Sequence, residues 1–267
     1  LSSSLSWRFC MVASGGLLVI MGYLYYRFTT DLPEGNFKDL KLGHWSSEKK
    51  EKISTFGMAA KDPRSWMLGL VYGACFGIEI TIHNIAPLYF QDIFKLSLAK
   101  AGLVAGAFGL TNIFARALGG YLGDLAGRRF GLSGRSQWLG GVLLLEGLAL
   151  VIFSRTTSLS AAVASLLIFG CLVGMSCGAT YSVVPFVNKR AIASVSGIVG
   201  AGGSVGALLS TLLFRLPNFS WPDALLVIGI CVSLLPLFTF LIPKFVGVLI
   251  QLRGKPIAGV LPEEGAV

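Results

Sequence analysis

Seven apolar stretches, each long enough to cross a lipid bilayer, dominate the chain. They run over residues 7–27, 66–90, 101–123, 138–154, 160–187, 192–214 and 224–242. Asp, Glu, Lys and Arg are absent between Arg155 and Lys189 and again between Asp223 and Lys244. A helix needs about 20 mostly apolar residues to cross the hydrocarbon core. The pattern therefore predicts an all-α fold, a polytopic membrane helix bundle.

One long polar connection, residues 31–64, separates the first span from the other six. It contains Pro33 and Gly35 and alternating charges from Lys38 to Arg64, so we expect it to be solvated and partly disordered. If this connection and every second loop after it lie on one side, most of the 22 Lys and Arg residues lie there too. Because Lys and Arg are retained on the cytoplasmic side, we expect the connection and the tail, residues 244–267, to be cytoplasmic.

The spacing of the spans predicts how the chain is organised. Transporters built from two six-span halves have a long connection at their middle. We therefore expect residues 1–30 to hold the last helix of an N-terminal half and residues 65–243 to form a complete six-helix C-terminal half. The chain starts at Leu1 and shows no recognisable signal peptide, so we expect it to begin inside a longer protein.

Composition excludes the common classes of soluble protein. Hydrophobic residues make up 54% of the chain and charged residues 13%, and the mean hydropathy is +0.74, whereas soluble domains carry about 25% charge. The net charge of +9 comes from cations in the connections, so we expect no nucleic-acid partner. The five cysteines lie in apolar runs without metal-ligand spacing and are interpreted as buried hydrophobes. We predict no enzyme, no cofactor and no metal site.

Arg116 is the charged residue that the spans do not readily explain. It lies near the middle of the third span, where a cation costs about 2.5–3.5 kcal/mol on insertion scales and usually faces a bundle interior or a water-filled cavity. The spacing of Gly109, Asn112, Arg116 and Gly120 puts all four on one helical stripe. One interpretation is an anion site. The alternative is that Arg116 snorkels to the surface or pairs with a carboxylate on another helix.

The second span carries a matching stripe of Tyr72, Phe76, Glu79 and His83, at spacings of four, three and four. Rings and titratable groups on one face of a membrane helix indicate a pore wall. Glu79 and His83 are candidates for proton carriage. For each of these two taken separately, the simpler interpretation is structural: the aromatic rings pack between helices and Glu79 forms local hydrogen bonds as a neutral acid.

Small residues recur at every fourth position of the sixth span. They form two series, Ser196, Gly200 and Ser204, and Gly202, Gly206 and Ser210. Such small-xxx-small patterns allow close helix packing in lipid, and backbone exposed beside glycine can contact a ligand. Packing explains most of these glycines. A dinucleotide-binding loop is excluded because the glycine spacing is wrong and no soluble strand precedes it.

A charged motif, G-x-x-x-D-x-x-G-R-R, connects the third and fourth spans. It consists of Gly120, Asp124, Gly127, Arg128 and Arg129. We interpret it as a cytoplasmic clasp that holds one conformation of a rocking transporter and releases it in the other. Anchoring by positive charge on the cytoplasmic side would explain the two arginines but not Asp124 and its spaced glycines.

Several motifs, in order along most of the chain, resemble a known transporter family. The loop motif resembles that of the major facilitator superfamily. "AGLVAGAFGLTNIFARALGG" and "GIVGAGGSVG" resemble the second half of nitrate/nitrite porters, especially the high-affinity nitrate transporters of plants and algae. "SWRF", "DLPEGN", "YGACFGIEIT", "RRFGLSGR" and "CGATYSVVPFV" extend the similarity.

The resemblance implies a twelve-span transporter with one nitrate-binding arginine in each half, and Arg116 matches the arginine of the second half. It also implies substrate contacts by Tyr72 and Phe76 and by a glycine-rich segment that holds Gly200, Gly202, Gly203 and Gly206, while Ser204 stands where plant relatives often have Asn. The stripe adds Asn112 to this candidate site. The family implies proton coupling and a plasma-membrane location, and some relatives need an accessory membrane protein.

Two other functions remain open from the residues. One is a major facilitator porter of another small solute, such as a sugar or a drug; a lone arginine within a span favours an anion over a neutral ligand. The other is a fragment or subunit that does not transport by itself, because half of a binding site would hold nitrate poorly.

Overall fold

The computed structural model describes residues 3–30, 35–36, 55–217 and 219–241. It divides into two compact units, Leu1–Ile53 and Ser54–Val267. Among the described residues of the first unit, the helix α1 (Ser3–Phe28) covers the predicted first span. Most of the predicted connection and the whole tail, residues 244–267, lie outside the described residues.

The second unit is built from helices that follow one another closely. They are α2 (Thr55–Ala60), α3 (Pro63–Tyr72), a π-helical turn (Gly73–Gly77), α4 (Ile78–Phe94), α5 (Leu98–Leu110), α6 (Asn112–Ser154), α7 (Leu159–Val183), a 3-10 turn (Val184–Phe186), α8 (Ile192–Leu213), α9 (Trp221–Leu234) and α10 (Pro236–Thr239). In the described part of the chain, six helical segments are long and apolar enough to cross a membrane. The prediction of a polytopic helix bundle is confirmed.

The count of six rather than seven comes from a turn inside α6. The segment Leu98–Ser154 is continuous over 57 residues, which would make a straight helix about 85 Å long, nearly three times the hydrocarbon thickness. Gly131 breaks the helix with φ 60° and ψ −146°, a conformation that glycine adopts without steric cost. The Trp138 Nε1–H then donates a 3.1 Å hydrogen bond to the Gly119 carbonyl. The two arms of α6, residues 112–130 and 132–154, therefore fold back on each other. The predicted third span comprises α5 and the start of the first arm, and the predicted fourth span lies in the second arm.

Polar residues at the helix ends explain where several spans begin. Asp62 caps α3 by accepting from the Arg64 amide, and Pro63 occupies the first turn, where its missing N–H is not needed. Ser158 and Ser220 cap α7 and α9 in the same way. These caps satisfy amides that would otherwise be left without acceptors at the helix ends.

The end of the predicted connection differs from expectation. Residues 55–60 form α2, and the Arg64 side chain is buried rather than solvated. Arg64 pairs with Asp62 at 2.6 Å and donates a 2.7 Å hydrogen bond to the Val187 carbonyl beyond α7. The charge is tolerated because a carboxylate and a carbonyl both accept from it, and it ties the start of α3 to the end of α7.

Glycine-to-glycine contacts hold the helices close together. A Cβ at Gly178 of α7 would overlap the Arg116 carbonyl of α6, and one at Gly206 of α8 would overlap the Gly73 carbonyl of the π turn. These approaches support packing as the reason for the small residues of α8. The cysteine interpretation holds only in part, because Cys75 and Cys177 are buried whereas Cys10 and Cys231 are exposed.

Candidate functional site

The π turn places two aromatic rings of the predicted stripe side by side. The Tyr72 and Phe76 rings stack with centroids 5.0 Å apart and planes 7° apart, and Tyr181 of α7 meets Tyr72 edge-on at 5.2 Å. Gly203 of α8 lies against both rings: a Cβ there would lie 2.7 Å from Phe76 Cδ1 and 2.9 Å from Tyr72 Cδ1. Short π-helical segments frequently occur at functional sites, and this one builds an aromatic wall that only a glycine can approach.

Arg116 lies beside this wall and is paired. Its Nη2 donates a 2.7 Å hydrogen bond to Glu79 Oε2, and its guanidinium carbon lies 5.3 Å from the centre of the Phe76 ring. The alternative in which Arg116 pairs with a carboxylate on another helix is therefore what the structure shows. The Arg116 side chain still keeps 37% of its surface exposed.

Glu79 is the centre of a polar cluster. Its side chain is 5% exposed; besides Arg116 it accepts from Asn112 Nδ2 at 2.7 Å and from the Cys177 Sγ at 3.5 Å. Its hydrogen-bond partners lie on α6 and α7, so the expectation that Glu79 forms local hydrogen bonds is wrong. The reason is that Glu79 of α4 reaches Arg116 and Asn112 of α6 across the bundle, which sequence periodicity within one helix does not reveal. His83 Nε2 lies 3.9 Å from Glu79 Oε1, and its ring packs on Phe108 at 4.6 Å.

The ion pair leaves most of the guanidinium available to another ligand. Arginine carries five N–H donors, and within the described residues Glu79 is the acceptor that bonds Arg116. Removing one partner of a buried pair leaves the other charge uncompensated, which costs about 3–5 kcal/mol. Any anion that binds Arg116 must therefore either join Glu79 or replace it.

The two glycines predicted for substrate contact take different positions. Gly203 faces the aromatic wall, whereas a Cβ at Gly202 would overlap the backbone of Gly69 in α3. Gly202 also lines an apolar cavity of about 800 Å³ between α3, α8 and α9, whose lining does not include Arg116. The structure therefore brings Gly203, and not Gly202, to the Arg116 cluster.

The charged loop motif pairs through an arginine that sequence reasoning did not include in it. Asp124 forms a short ion pair with Arg135, which lies across the Gly131 turn and sits over the Phe186 ring at 4.4 Å. A Cβ at Gly127 would overlap the Arg135 guanidinium, so this glycine makes room for the pair. To predict this pairing from the sequence, one would have had to predict a helical hairpin at Gly131, which brings Arg135 back to Asp124.

Other members of the motif have separate positions. Gly120 packs loosely against α7, where a Cβ would lie 3.6 Å from the Gly178 carbonyl. Arg128 and Arg129 are exposed, and Arg129 lies 5.5 Å from the Phe130 ring. A further acid was missed altogether: Glu146 lies in the second arm of α6 with 0% exposure. The sequence did contain a signal for Glu146, because it is the one acidic residue within the apolar fourth span.

The chain is similar to a known protein family and to several curated proteins. Residues 1–211 match the family described as the Major Facilitator Superfamily. The high affinity nitrate transporter 2.5 of Arabidopsis thaliana is 38% identical over 212 residues, which are 78% of this chain and 41% of the relative. Nitrate transporters 2.2 and 2.1 of Chlamydomonas reinhardtii are 34% identical over 84% of the chain and 32% identical over 98% of the chain, covering 45% and 48% of their own lengths.

The chain therefore spans about half the length of the curated relatives it matches. No solved structure matches the chain significantly.

Proposed function

Because the chain belongs to the major facilitator superfamily, we propose that it is part of a transporter that moves nitrate, and nitrite as a second substrate, across a membrane by alternating access. The observation that carries this proposal is the Arg116 guanidinium, part-exposed beside the stacked Tyr72 and Phe76 rings. The relatives that bear the name nitrate transporter support the choice of anion.

The chemistry of the site suits a small planar anion. Nitrate is flat, and a planar guanidinium can donate two parallel hydrogen bonds to it, whereas a lysine ammonium acts as a point charge. The Tyr72 and Phe76 rings bound the space beside Arg116, and Gly203 lets α8 approach them. Asn112, which bonds Glu79, adds an amide to the same surface. This arrangement selects a ligand by its negative charge and its flat shape together, and it offers a neutral sugar few favourable contacts.

Glu79 can couple the anion to a proton, and we assign it this role. Its carboxylate is itself a planar anion and already occupies one donor of Arg116. Protonation of the carboxyl removes the charge that holds the guanidinium, so that nitrate can take its place. His83, 3.9 Å from the Glu79 carboxylate, can pass the proton. An inward proton offsets the membrane potential that opposes anion entry, about 2.3 kcal/mol per 100 mV.

Transport is tested in proteoliposomes that contain this chain together with the N-terminal half of a nitrate transporter relative, with isotopically labelled nitrate and with chloride, sulfate and glucose as competitors. We expect saturable nitrate influx that nitrite reduces and glucose does not. Influx of glucose instead of nitrate would favour a porter of another solute. Influx of neither would favour the second candidate, a subunit that does not transport.

Glu79→Gln tests the proton role. In the wild-type chain we expect nitrate binding to strengthen as the pH falls, because protonation removes the internal competitor of the anion. The substitution keeps an acceptor for Asn112 but no charge, so binding should become independent of pH. Isothermal titration with nitrate in lipid nanodiscs, repeated across pH, measures the difference.

Asp92→Asn is the matched control for this experiment, since Asp92 is exposed on the same helix, α4. It should retain the pH dependence of the wild type. If Glu79→Gln instead loses nitrate binding at every pH, Glu79 positions Arg116 and does not compete with the anion.

The loop motif is proposed to act as a conformational clasp, with Gly120, Gly127, Arg128 and Arg129 around the Asp124 and Arg135 pair. Asp124 is 56% exposed, so Asp124→Asn should change the free energy of unfolding by less than about 1 kcal/mol. The rate of nitrate exchange should fall clearly, because one end state loses its ion pair. Denaturant unfolding and tracer exchange on the same sample measure both; an unchanged exchange rate argues against the clasp.

Topology and partners follow from the same proposal. We propose a plasma-membrane location, with the connection at residues 31–64 and the tail on the cytoplasmic side. The rest of the anion site, with a second arginine, would come from an N-terminal half, and an accessory membrane protein is a further candidate partner. No cofactor and no enzymatic step are needed. Labelling of a cysteine placed in the tail with a membrane-impermeant reagent in sealed vesicles tests the orientation.

A further inference from the structure

Glu146 is a carboxyl group in the core that the anion site does not use. It lies in the second arm of α6 with none of its surface exposed, and Leu143 and Leu150 on the same side of that arm are fully buried as well. Neither of its carboxyl oxygens has a hydrogen-bond partner among the described residues. A buried polar group without a partner costs free energy, so its presence needs an explanation.

Among the described residues, the groups close enough to act electrostatically on Glu146 include no cation. They are the Ser176 hydroxyl from α7, the Cys75 thiol from the π turn and the Glu79 carboxylate from α4. Ser176 also lacks a hydrogen-bond partner in the described part of the chain. The sequence of α7 contains no Asp, Glu, Lys, Arg or His, and the Asp223 side chain of α9 lies at its exposed first turn. Arg116, the cation that bonds Glu79, already has that carboxylate as its partner.

An ionised carboxylate in such surroundings would be unstable. Moving a lone charge into an apolar interior costs far more than a hydrogen bond returns, and the group takes up a proton instead. A protonated carboxyl can both donate and accept, as can the Ser176 hydroxyl, so a small rotation of either side chain would pair them. Acids inside membrane spans commonly mark proton pathways.

We propose that Glu146 is a second proton-binding residue of this chain, which holds its proton in the closed packing that the structure shows. The proton leaves the carboxyl oxygen for water when α6, α7 and the π turn separate, and the carboxylate regains a proton from water before they close. Proton binding by Glu146 does not depend on the proposed function, whereas the use of this proton in transport rests on that function.

Infrared spectroscopy of the purified chain in lipid nanodiscs tests the proton-binding step. At neutral pH we expect the wild-type spectrum to contain the C=O stretch of a protonated carboxylic acid, which lies well apart from the carboxylate bands. Glu146→Gln should remove this band, and Asp223→Asn, the matched change at an exposed acid of α9, should retain it. The band should shift only slowly in D2O because the group is buried.

A wild-type spectrum without this band overturns the proposal, as does a band that Glu146→Gln leaves intact. If Glu146→Gln does not fold, labelling of all glutamates with carbon-13 in the Glu79→Gln chain decides the same point, because a Glu band shifts, an Asp band does not, and Glu79 is absent. An absent or unshifted band again overturns the proposal.

The role in transport has its own readout. In proteoliposomes that take up nitrate, Glu146→Gln should abolish nitrate-driven proton uptake, and Glu146→Asp should restore part of it. Proton uptake equal to that of the wild type in Glu146→Gln rejects the transport role. A wild-type chain that moves no nitrate rejects the proposed function and this role together, while the infrared band still identifies the proton site.

Discussion

Replacing Arg116 with lysine should weaken nitrate binding by roughly 10- to 100-fold, because hydrogen bonds to charged groups contribute about 1.5–3 kcal/mol. Lysine keeps the positive charge but lacks the planar pair of donors that fits a flat oxyanion. It also remains a partner for Glu79, which avoids leaving a buried carboxylate uncompensated. Isothermal titration with nitrate, on chains that retain the wild-type unfolding transition, measures the effect.

Arg155→Lys is the matched control for this substitution. Arg155 is exposed at the C-terminal end of the same helix, α6, and the chemical change is identical. It should leave nitrate binding unchanged. Near wild-type binding in Arg116→Lys would reject the guanidinium as the anion site and leave the relatives' names as the argument for nitrate.

The second large effect is expected at Gly206. A Cβ there would overlap the Gly73 carbonyl, and both atoms belong to backbone that cannot move alone. Gly206→Ala should therefore lower the free energy of unfolding by about 1–3 kcal/mol, the usual cost of overpacking. Nitrate binding should weaken as well, because displacement of the π turn moves Phe76 away from Arg116. Denaturant unfolding followed by nitrate titration separates the two effects.

Gly197→Ala in the same helix is the control, because no atom lies within 4 Å of a Cβ at that position. It should leave the protein as stable as the wild type or slightly more stable, since alanine is the better helix former. Equal destabilisation by the two substitutions would mean that glycine matters in α8 for helix flexibility and not for close packing.

The sequence was sufficient to predict the spans but not the way they meet. Apolar runs without charges defined α7 and α8 within a few residues, because length and hydropathy are local properties. The turn at Gly131 depends on one φ angle, and the sequence placed a polar loop there without showing that the two arms form a hairpin. The burial of Arg64 depends on the Val187 carbonyl, 123 residues away along the chain.

The candidate site, like the fold, could be predicted from the sequence only in part. Helical spacing put Tyr72, Phe76 and Glu79 on one face, and the structure places all three around Arg116. Spacing within one helix could not show that Glu79 reaches Arg116, because that contact depends on where the bundle places α4 relative to α6. The same limit applies to Gly202 and Gly203, which are neighbours in sequence but face different helices.

The five-residue π turn at Gly73–Gly77 lies between α3 and α4, so a change in its winding would alter the rotation of one helix relative to the other. An α-helix advances by about 100° per residue, so rewinding the turn to α-helical geometry would swivel α4 about its own axis while α3 stayed in place. Glu79 would turn away from the guanidinium, and Tyr72 would remain. One membrane span would thus keep the Tyr72 ring in place while the Glu79 carboxylate moves.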